Sequence, residues 1–183
     1  MPRTGGALAL ALAALLAACG TGGDAEAGEG QMAEEGQPAS QAQEVAMQSG
    51  EFVDLLRSSS GRYSKHGWNH YGPGYFELDS STGILTSHGG MGLFWYSVKE
   101  FSDFVLELDF RCTDADTNSG VFVRVPGVPS SVDYIYHSFE VQIYDAGEGI
   151  HMTGAAYDAE APTHLASKAP GEWNHFKITF LGG

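Results

Sequence analysis

The chain has 183 residues, 43% of them hydrophobic and 17% charged, which is enough for one folded domain of ordinary size together with extra segments. Its formal net charge of -14 excludes a nucleic-acid footprint, because phosphate contacts need clustered Lys and Arg. With only two cysteines, Cys19 and Cys112, it is not a disulfide scaffold.

Arg3 precedes an apolar run from Ala7 to Ala18 that ends in Cys19. The run is too short to span a bilayer but fits the hydrophobic region of an export signal. Leu16-Ala17-Ala18-Cys19 resembles the bacterial lipobox. Residues 1–19 are therefore expected to be a lipoprotein signal, with Cys19 lipidated and the chain exported and anchored to the cell envelope through its lipid, on the periplasmic or surface face of the outer membrane. An ordinary secretory signal cut near Ala18 is the alternative. Residues 20–50 contain Gly, Ala, Gln and six acidic residues besides Pro38, but no Lys, Arg or aromatic residue. Such a stretch cannot bury enough apolar surface to offset its ordering entropy, so it is expected to be a disordered acidic linker with a reach of about 30 Å.

The folded part is expected from residue 51 to 183. Tyr75-Phe76-Glu77-Leu78, a turn over Asp79-Ser80-Ser81-Thr82-Gly83, and Ile84-Leu85-Thr86 read as a hairpin. Gly89-Gly90-Met91-Gly92 leads into Leu93-Phe94-Trp95-Tyr96, with the glycines read as tight-turn positions. In Phe104-Val105-Leu106-Glu107-Leu108-Asp109-Phe110 the four residues Phe104, Leu106, Leu108 and Phe110 are expected inward and Glu107 and Asp109 outward. Cys112, at the end of that strand, reads as a small buried hydrophobe rather than a nucleophile. Thr153-Gly154-Ala155-Ala156-Tyr157 and Trp173-Asn174-His175-Phe176-Lys177-Ile178-Thr179-Phe180 complete the strands. Many short strands with turn signals and no long helical period predict an all-β sandwich. The last of them resembles the first arm of another hairpin, so C-terminal strands of the sandwich are expected to be missing.

The most informative stretch lies between residues 118 and 145. In Asn118-Ser119-Gly120-Val121-Phe122-Val123-Arg124-Val125 alternation puts Val121, Val123 and Val125 on one face and Phe122 and Arg124 on the other. In Phe139-Glu140-Val141-Gln142-Ile143-Tyr144-Asp145 it separates Phe139, Val141 and Ile143 from Glu140, Gln142 and Tyr144. A polar face of this kind is either the solvated side of an antiparallel sheet or the lining of a cleft.

Taken in order, Phe52-Val53-Asp54-Leu55, Gly67-Trp68, Gly90-Met91-Gly92-Leu93, Asp103-Phe104-Val105-Leu106, Asn118-Ser119-Gly120-Val121-Phe122-Val123-Arg124, Glu140-Val141-Gln142-Ile143, Thr153-Gly154-Ala155 and Pro170-Gly171-Glu172-Trp173-Asn174 resemble the DUF1080 family. Its members are described as 3-keto-disaccharide hydrolases, or 3-keto-glucoside 1,2-lyases and 3-keto-2-hydroxy-glucal hydratases. The resemblance implies a concanavalin-like jelly roll and a carbohydrate substrate, with a separate sugar 3-oxidoreductase to supply the ketone. The loop at 126–138, with Tyr134, Tyr136 and His137, and Asp158, where the family more often has Gly, depart from the usual pattern.

The chemistry that this implies needs few groups. A retaining glycosidase would place two carboxylates about 5 Å apart. Residues two apart on a strand are separated by about 7 Å, and the position two after Glu140 is Gln142, so that mechanism is disfavoured. A ketone at C3 acidifies the C2 proton, so a single base can start an elimination that expels the C1 substituent, and water can then add. Glu140 is the candidate base or acid, Arg124 the enolate-side electrostatic group and Gln142 a substrate orienter, with His151 and His137 as further candidate acids or bases. Tyr144, Phe122, Asn118 and His137 are the other candidate substrate-binding residues, and Trp68, Tyr71, Tyr75, Trp95, Tyr134 and Tyr136 are aromatics able to stack on sugars. A Glu beside an Arg is equally a structural ion pair. The seven histidines lack the local spacing of a zinc site, so no cofactor is expected, although His151, Glu140 or Asp145 leave a divalent metal open. The competing class is a non-catalytic lectin-like carbohydrate-binding lipoprotein, since this fold hosts both. Convergence of Arg124 and Glu140 in one pocket would favour the enzyme.

Overall fold

The computed structural model describes residues 8–11, 52–56 and 60–182, the first of these stretches by its backbone alone. Cys19 and the linker at 20–50 lie outside the described residues. Regular structure here is strand, with short 3-10 turns at Val132–Tyr136 and Gly149–His151. The strands are β1 (Leu8–Ala11), β2 (Trp68–Tyr71), β3 (Tyr75–Leu78), β4 (Ile84–His88), β5 (Leu93–Tyr96), β6 (Phe104–Cys112), β7 (Ser119–Val123), β8 (Phe139–Ile143) and β9 (Asn174–Phe180). All pair antiparallel: a five-stranded sheet in the order β3-β4-β1-β6-β9, and two two-stranded sheets, β2-β5 and β7-β8. The all-β expectation therefore holds.

The β3–β4 hairpin closes as its turn residues dictate. Asp79 Oδ1 accepts hydrogen bonds from Ser81 N–H at 2.8 Å and Ser81 Oγ at 2.6 Å, and Gly83 supplies the left-handed φ of 79° that ends the turn. β1 falls within the segment read as an export signal, and its backbone pairs with both β4 and β6. Cleavage before Cys19 would remove this strand and with it that pairing.

β6 is the spine of the fold. Val105, Leu108 and Phe110 are each 1% exposed, while Asp109 points outward and its Oδ1 meets His175 Nδ1 at 2.9 Å. On its inward face Leu108, Phe110 and Cys112 form one core cluster with Ile143 of β8, against which Leu106, Val121 and Phe176 pack. The β6–β9 layer is thus packed face to face on the β7–β8 hairpin, the geometry of a sandwich. Burial, then the charges of Asp145 and Asp114, push the Cys112 thiol up to about 11, which suits a packing role and not a nucleophile.

This packing fixes which side of the hairpin is left over. Val121 and Ile143 face β6, so alternation puts Gly120, Phe122, Glu140 and Gln142 on the opposite side. One expected strand is replaced by a turn: residues 153–157 make isolated bridges, Val141 to Ala156 and Ala156 to Glu160, while Gln142 N–H donates to Ala155 O and Tyr157 N–H to Glu140 O. The segment covers one edge of β8 without becoming a ladder.

Candidate functional site

Glu140 stands opposite Phe122 in the β7–β8 register. Its side chain lies across Gly120: a Cβ built there would collide with Glu140 Oε1, Cγ and Cδ. The glycine of the Asn-Ser-Gly stretch therefore serves a close approach by the carboxyl and not a turn. The Glu140 carboxyl forms no ion pair or hydrogen bond among the described residues, and burial pushes it from 4.5 up to about 7. Both protonation states are thus accessible near neutral pH, as acid–base chemistry requires.

Beside it stands Tyr134, on the 3-10 turn Val132–Tyr136. Ser131 Oγ caps that turn by accepting from Asp133 N–H at 3.1 Å, and His137 N–H donates to Tyr134 O at 3.2 Å. The Tyr134 ring is 8% exposed and meets Phe122 edge to face at 5.2 Å. Burial first, then the charges of Glu140 and Tyr71, push its phenol above the usual value, so it stays protonated at neutral pH. Its hydroxyl has no hydrogen-bond partner among the described residues. Sequence reasoning treated Tyr134 and Tyr71 only as stacking aromatics; the departure of the 126–138 loop from the family pattern was the signal that marked the region.

Arg124 does not join this site. Alternation assigned it to the Glu140 face, but β7 ends at Val123 and Arg124 has a left-handed φ of 60°, which breaks the alternation. Its guanidinium lies 4.7 Å from the Phe180 ring, donates to Phe101 O at 3.1 Å and to Gly182 O, and sits 4.0 Å from Asp103. With Phe139, Phe180, Leu181 and Gly182 it lines a separate hollow of about 440 Å³. The convergence that would have favoured an enzyme through an Arg–Glu pair is absent among the described residues.

Gln142 is corrected as well. It is 2% exposed, its backbone is bonded to Gly154 and Ala155, and its Oε1 accepts from Ile143 N–H at 3.1 Å, so it presents almost no surface to a substrate, against the expectation. Tyr144 is partly buried; its N–H donates to Thr153 Oγ1 at 2.8 Å, and that hydroxyl donates to Asp145 Oδ1 at 2.6 Å. Asn118 is exposed just before β7, and His137 is exposed just after Tyr136. His151 is exposed on the second 3-10 turn, with Nε2 3.9 Å from Asp158 Oδ1 and its ring 5.1 Å from Tyr157. Asp158 takes a left-handed φ of 57°, the conformation glycine adopts most readily. No three His, Cys, Asp or Glu side chains among the described residues are placed to hold a metal ion. The other aromatics divide: Trp68 stacks on Phe94 at 4.8 Å and its Nε1 donates to Leu55 O at 2.8 Å, a packing role, whereas Tyr75 is 58% exposed and stacks on His88 at 4.4 Å.

Antiparallel layers packed on β6, with a desolvated acid and a phenol on the outer face of one hairpin, define an all-β sandwich protein with a candidate acid–base site. A family model described as the 3-keto-alpha-glucoside-1,2-lyase-like domain matches residues 59–183, and the chain belongs to that family. Searches of curated proteins and of solved structures found no match. The family points to carbohydrate chemistry and to a sugar as the substrate class.

Proposed function

We propose that this protein is an enzyme that cleaves 3-keto-glycosides by elimination across C1 and C2 followed by hydration, with Glu140 as the base. The observation that carries the reading is that Glu140 is desolvated with no cation or hydrogen bond among the described residues to hold its charge, so that burial lifts its pKa to about 7. Family membership supplies the substrate class. On this scheme Glu140 takes the C2 proton, the C2–H pair forms the C2–C3 double bond and the carbonyl π pair moves onto the C3 oxygen. The enolate then re-forms the ketone and expels the C1 oxygen with its aglycone, which takes a proton from the protonated Glu140 or from water, and water adds to the resulting enone, its hydroxyl to C1 and its proton to C2. The scheme is redox-neutral and starts from a ketone, so on this reading a separate sugar 3-oxidoreductase would supply it.

The test incubates the full chain with a 3-keto-glucoside in deuterium oxide and follows aglycone release and exchange of the C2 proton. Release with C2 exchange, both lost in Glu140→Gln, supports the reading; sugar binding without either reaction favours the lectin-like alternative. We further propose that residues 1–19 are an export signal, that Cys19 carries lipid at the cell envelope, and that residues 20–50 form the tether to the domain at 51–183. Mass spectrometry of the native protein that found an unmodified N-terminus elsewhere would remove the anchor.

A further inference from the structure

With Arg124 committed to the far side of the hairpin, the site as first read has a base and no group to receive the charge that develops on the C3 oxygen. We infer that Tyr134 fills that role: its phenol donates a hydrogen bond to the C3 oxygen of a 3-keto sugar as Glu140 removes the C2 proton. The inference rests on the elimination reading above and adds a residue to it that the sequence did not assign to the chemistry.

Three observations support the assignment. First, Tyr134 is held in place: its ring is 8% exposed, packs edge-on against Phe122 at 5.2 Å, and belongs to a turn capped by Ser131. Phe122 is the register partner of Glu140, so the phenol and the carboxyl flank the same pair of strand positions. Second, the phenol oxygen is uncommitted. The buried side-chain polar atoms without a partner are, among the described residues, His88 Nε2 and Ser167 Oγ. The Tyr134 oxygen is not one of them and has no hydrogen bond among the described residues, so it reaches open space from a buried residue. Third, its proton is retained where a donor needs it, because burial and the neighbouring Glu140 and Tyr71 oppose ionisation. A neutral donor in a desolvated site, aimed at an oxygen that gains charge only during reaction, lowers the barrier without needing to move. No proton is transferred by Tyr134 in this step: the C2–H bond breaks to Glu140, the electron pair passes to the C3 oxygen, and the hydrogen bond from the phenol strengthens as the charge grows.

The experiment compares the full-length wild type with Tyr134→Phe, Val132→Ala and Glu140→Gln in the C2-exchange and aglycone-release assays. Val132 lies on the same turn but is 45% exposed, so it controls for perturbation of the turn. Tyr134→Phe keeps the edge contact with Phe122 and removes only a hydroxyl that is unpaired among the described residues, so its melting temperature should match the wild type. The expected result is a loss of about a hundredfold in kcat for both exchange and release, with KM changed by only a few-fold and Val132→Ala unaffected. Tyr134→Phe within threefold of wild type, while Glu140→Gln is inactive, overturns this inference and leaves the elimination reading standing. A wild type that neither exchanges C2 nor releases aglycone overturns both. Should Tyr134→Phe melt early, 3-fluorotyrosine at position 134 keeps the shape and alters the acidity of the donor, and an exchange rate indifferent to it overturns the assignment.

Discussion

Arg124 and Glu140, two charged residues of the β7–β8 hairpin, meet opposite fates. Arg124 is tied at every turn: two backbone carbonyls accept from it, Asp103 lies at ion-pair distance and the Phe180 ring lies against its guanidinium. Glu140 lies across Gly120, close enough to Tyr134 to oppose its ionisation, and its carboxyl has no ion pair or hydrogen bond among the described residues. A fully satisfied charge joins parts of a fold, and here Arg124 links the end of β7 to the segment before β6 and to the end of β9. An unsatisfied, desolvated acid weakens the fold, and such groups concentrate where chemistry is done.

The largest expected effect follows from that contrast. Glu140→Gln should lower aglycone release from a 3-keto-glucoside by about a hundredfold or more, the usual scale for loss of a general base. With Glu140 as the base, wild-type kcat/KM should climb with pH through about 7 and then level, because only the deprotonated carboxyl accepts the C2 proton. A profile flat from pH 5 to 8 would break the assignment, and His151 would be the next residue to test.

Next in size is Gly120→Ala. The added Cβ collides with the Glu140 carboxyl, which must swing away from its present position. Activity should fall by roughly tenfold to a hundredfold, because catalytic groups displaced by about 1 Å lose on that scale. A fully active Gly120→Ala would show that the carboxyl does not work from where it lies.

Arg124 provides the reverse test, in stability and not in chemistry. Arg124→Met should cost about 2 kcal/mol in a urea titration, from lost charge-assisted hydrogen bonds to carbonyls and lost stacking on Phe180, both discounted for partial exposure. The kcat of the folded fraction should stay near wild type. A folded Arg124→Met with kcat down a hundredfold would return Arg124 to the site from which the structure removes it.

How much of this could be read beforehand depends on how local the controlling physics is. The inward pattern of β6 and the Asp79–Gly83 turn were legible, since alternation and turn chemistry are set by neighbouring residues. The face of Arg124 was not, because one left-handed residue at a strand end reverses a side chain and leaves no trace in the alternation. Gln142 sits on the expected face yet is 2% exposed, and its backbone is bonded to Gly154 and Ala155 of a turn folded back onto β8. Tyr134 lies in a loop without periodicity, where only the tertiary path brings a phenol to Phe122. Glu140 was found because two strand faces and a family motif agreed, but its desolvation is a property of the assembled hairpin.

The smallest expected effect isolates that desolvation from catalysis. In the unfolded chain Glu140 titrates near 4.5 and in the folded chain near 7. Below pH 4.5 both states hold the proton and the folded state has its full stability from this group. As pH rises from 4.5 to 7 the unfolded chain releases the proton first, so the equilibrium shifts toward unfolding; above 7 both states are ionised and the loss is complete. Glu140→Gln cannot ionise and escapes the loss. Its stability relative to wild type should therefore increase between pH 4.5 and pH 8, by about 1 kcal/mol once solvent screening of a partly exposed carboxyl is discounted. Asp79, held down at about 2 by Ser81 and Thr82 at the far hairpin, is common to both proteins and cancels in the difference. Paired urea titrations at pH 4.5, 6 and 8 give the answer directly. A difference that stays constant across that range would mean that Glu140 is solvated like any surface acid, and the contrast with Arg124 would lose its physical basis.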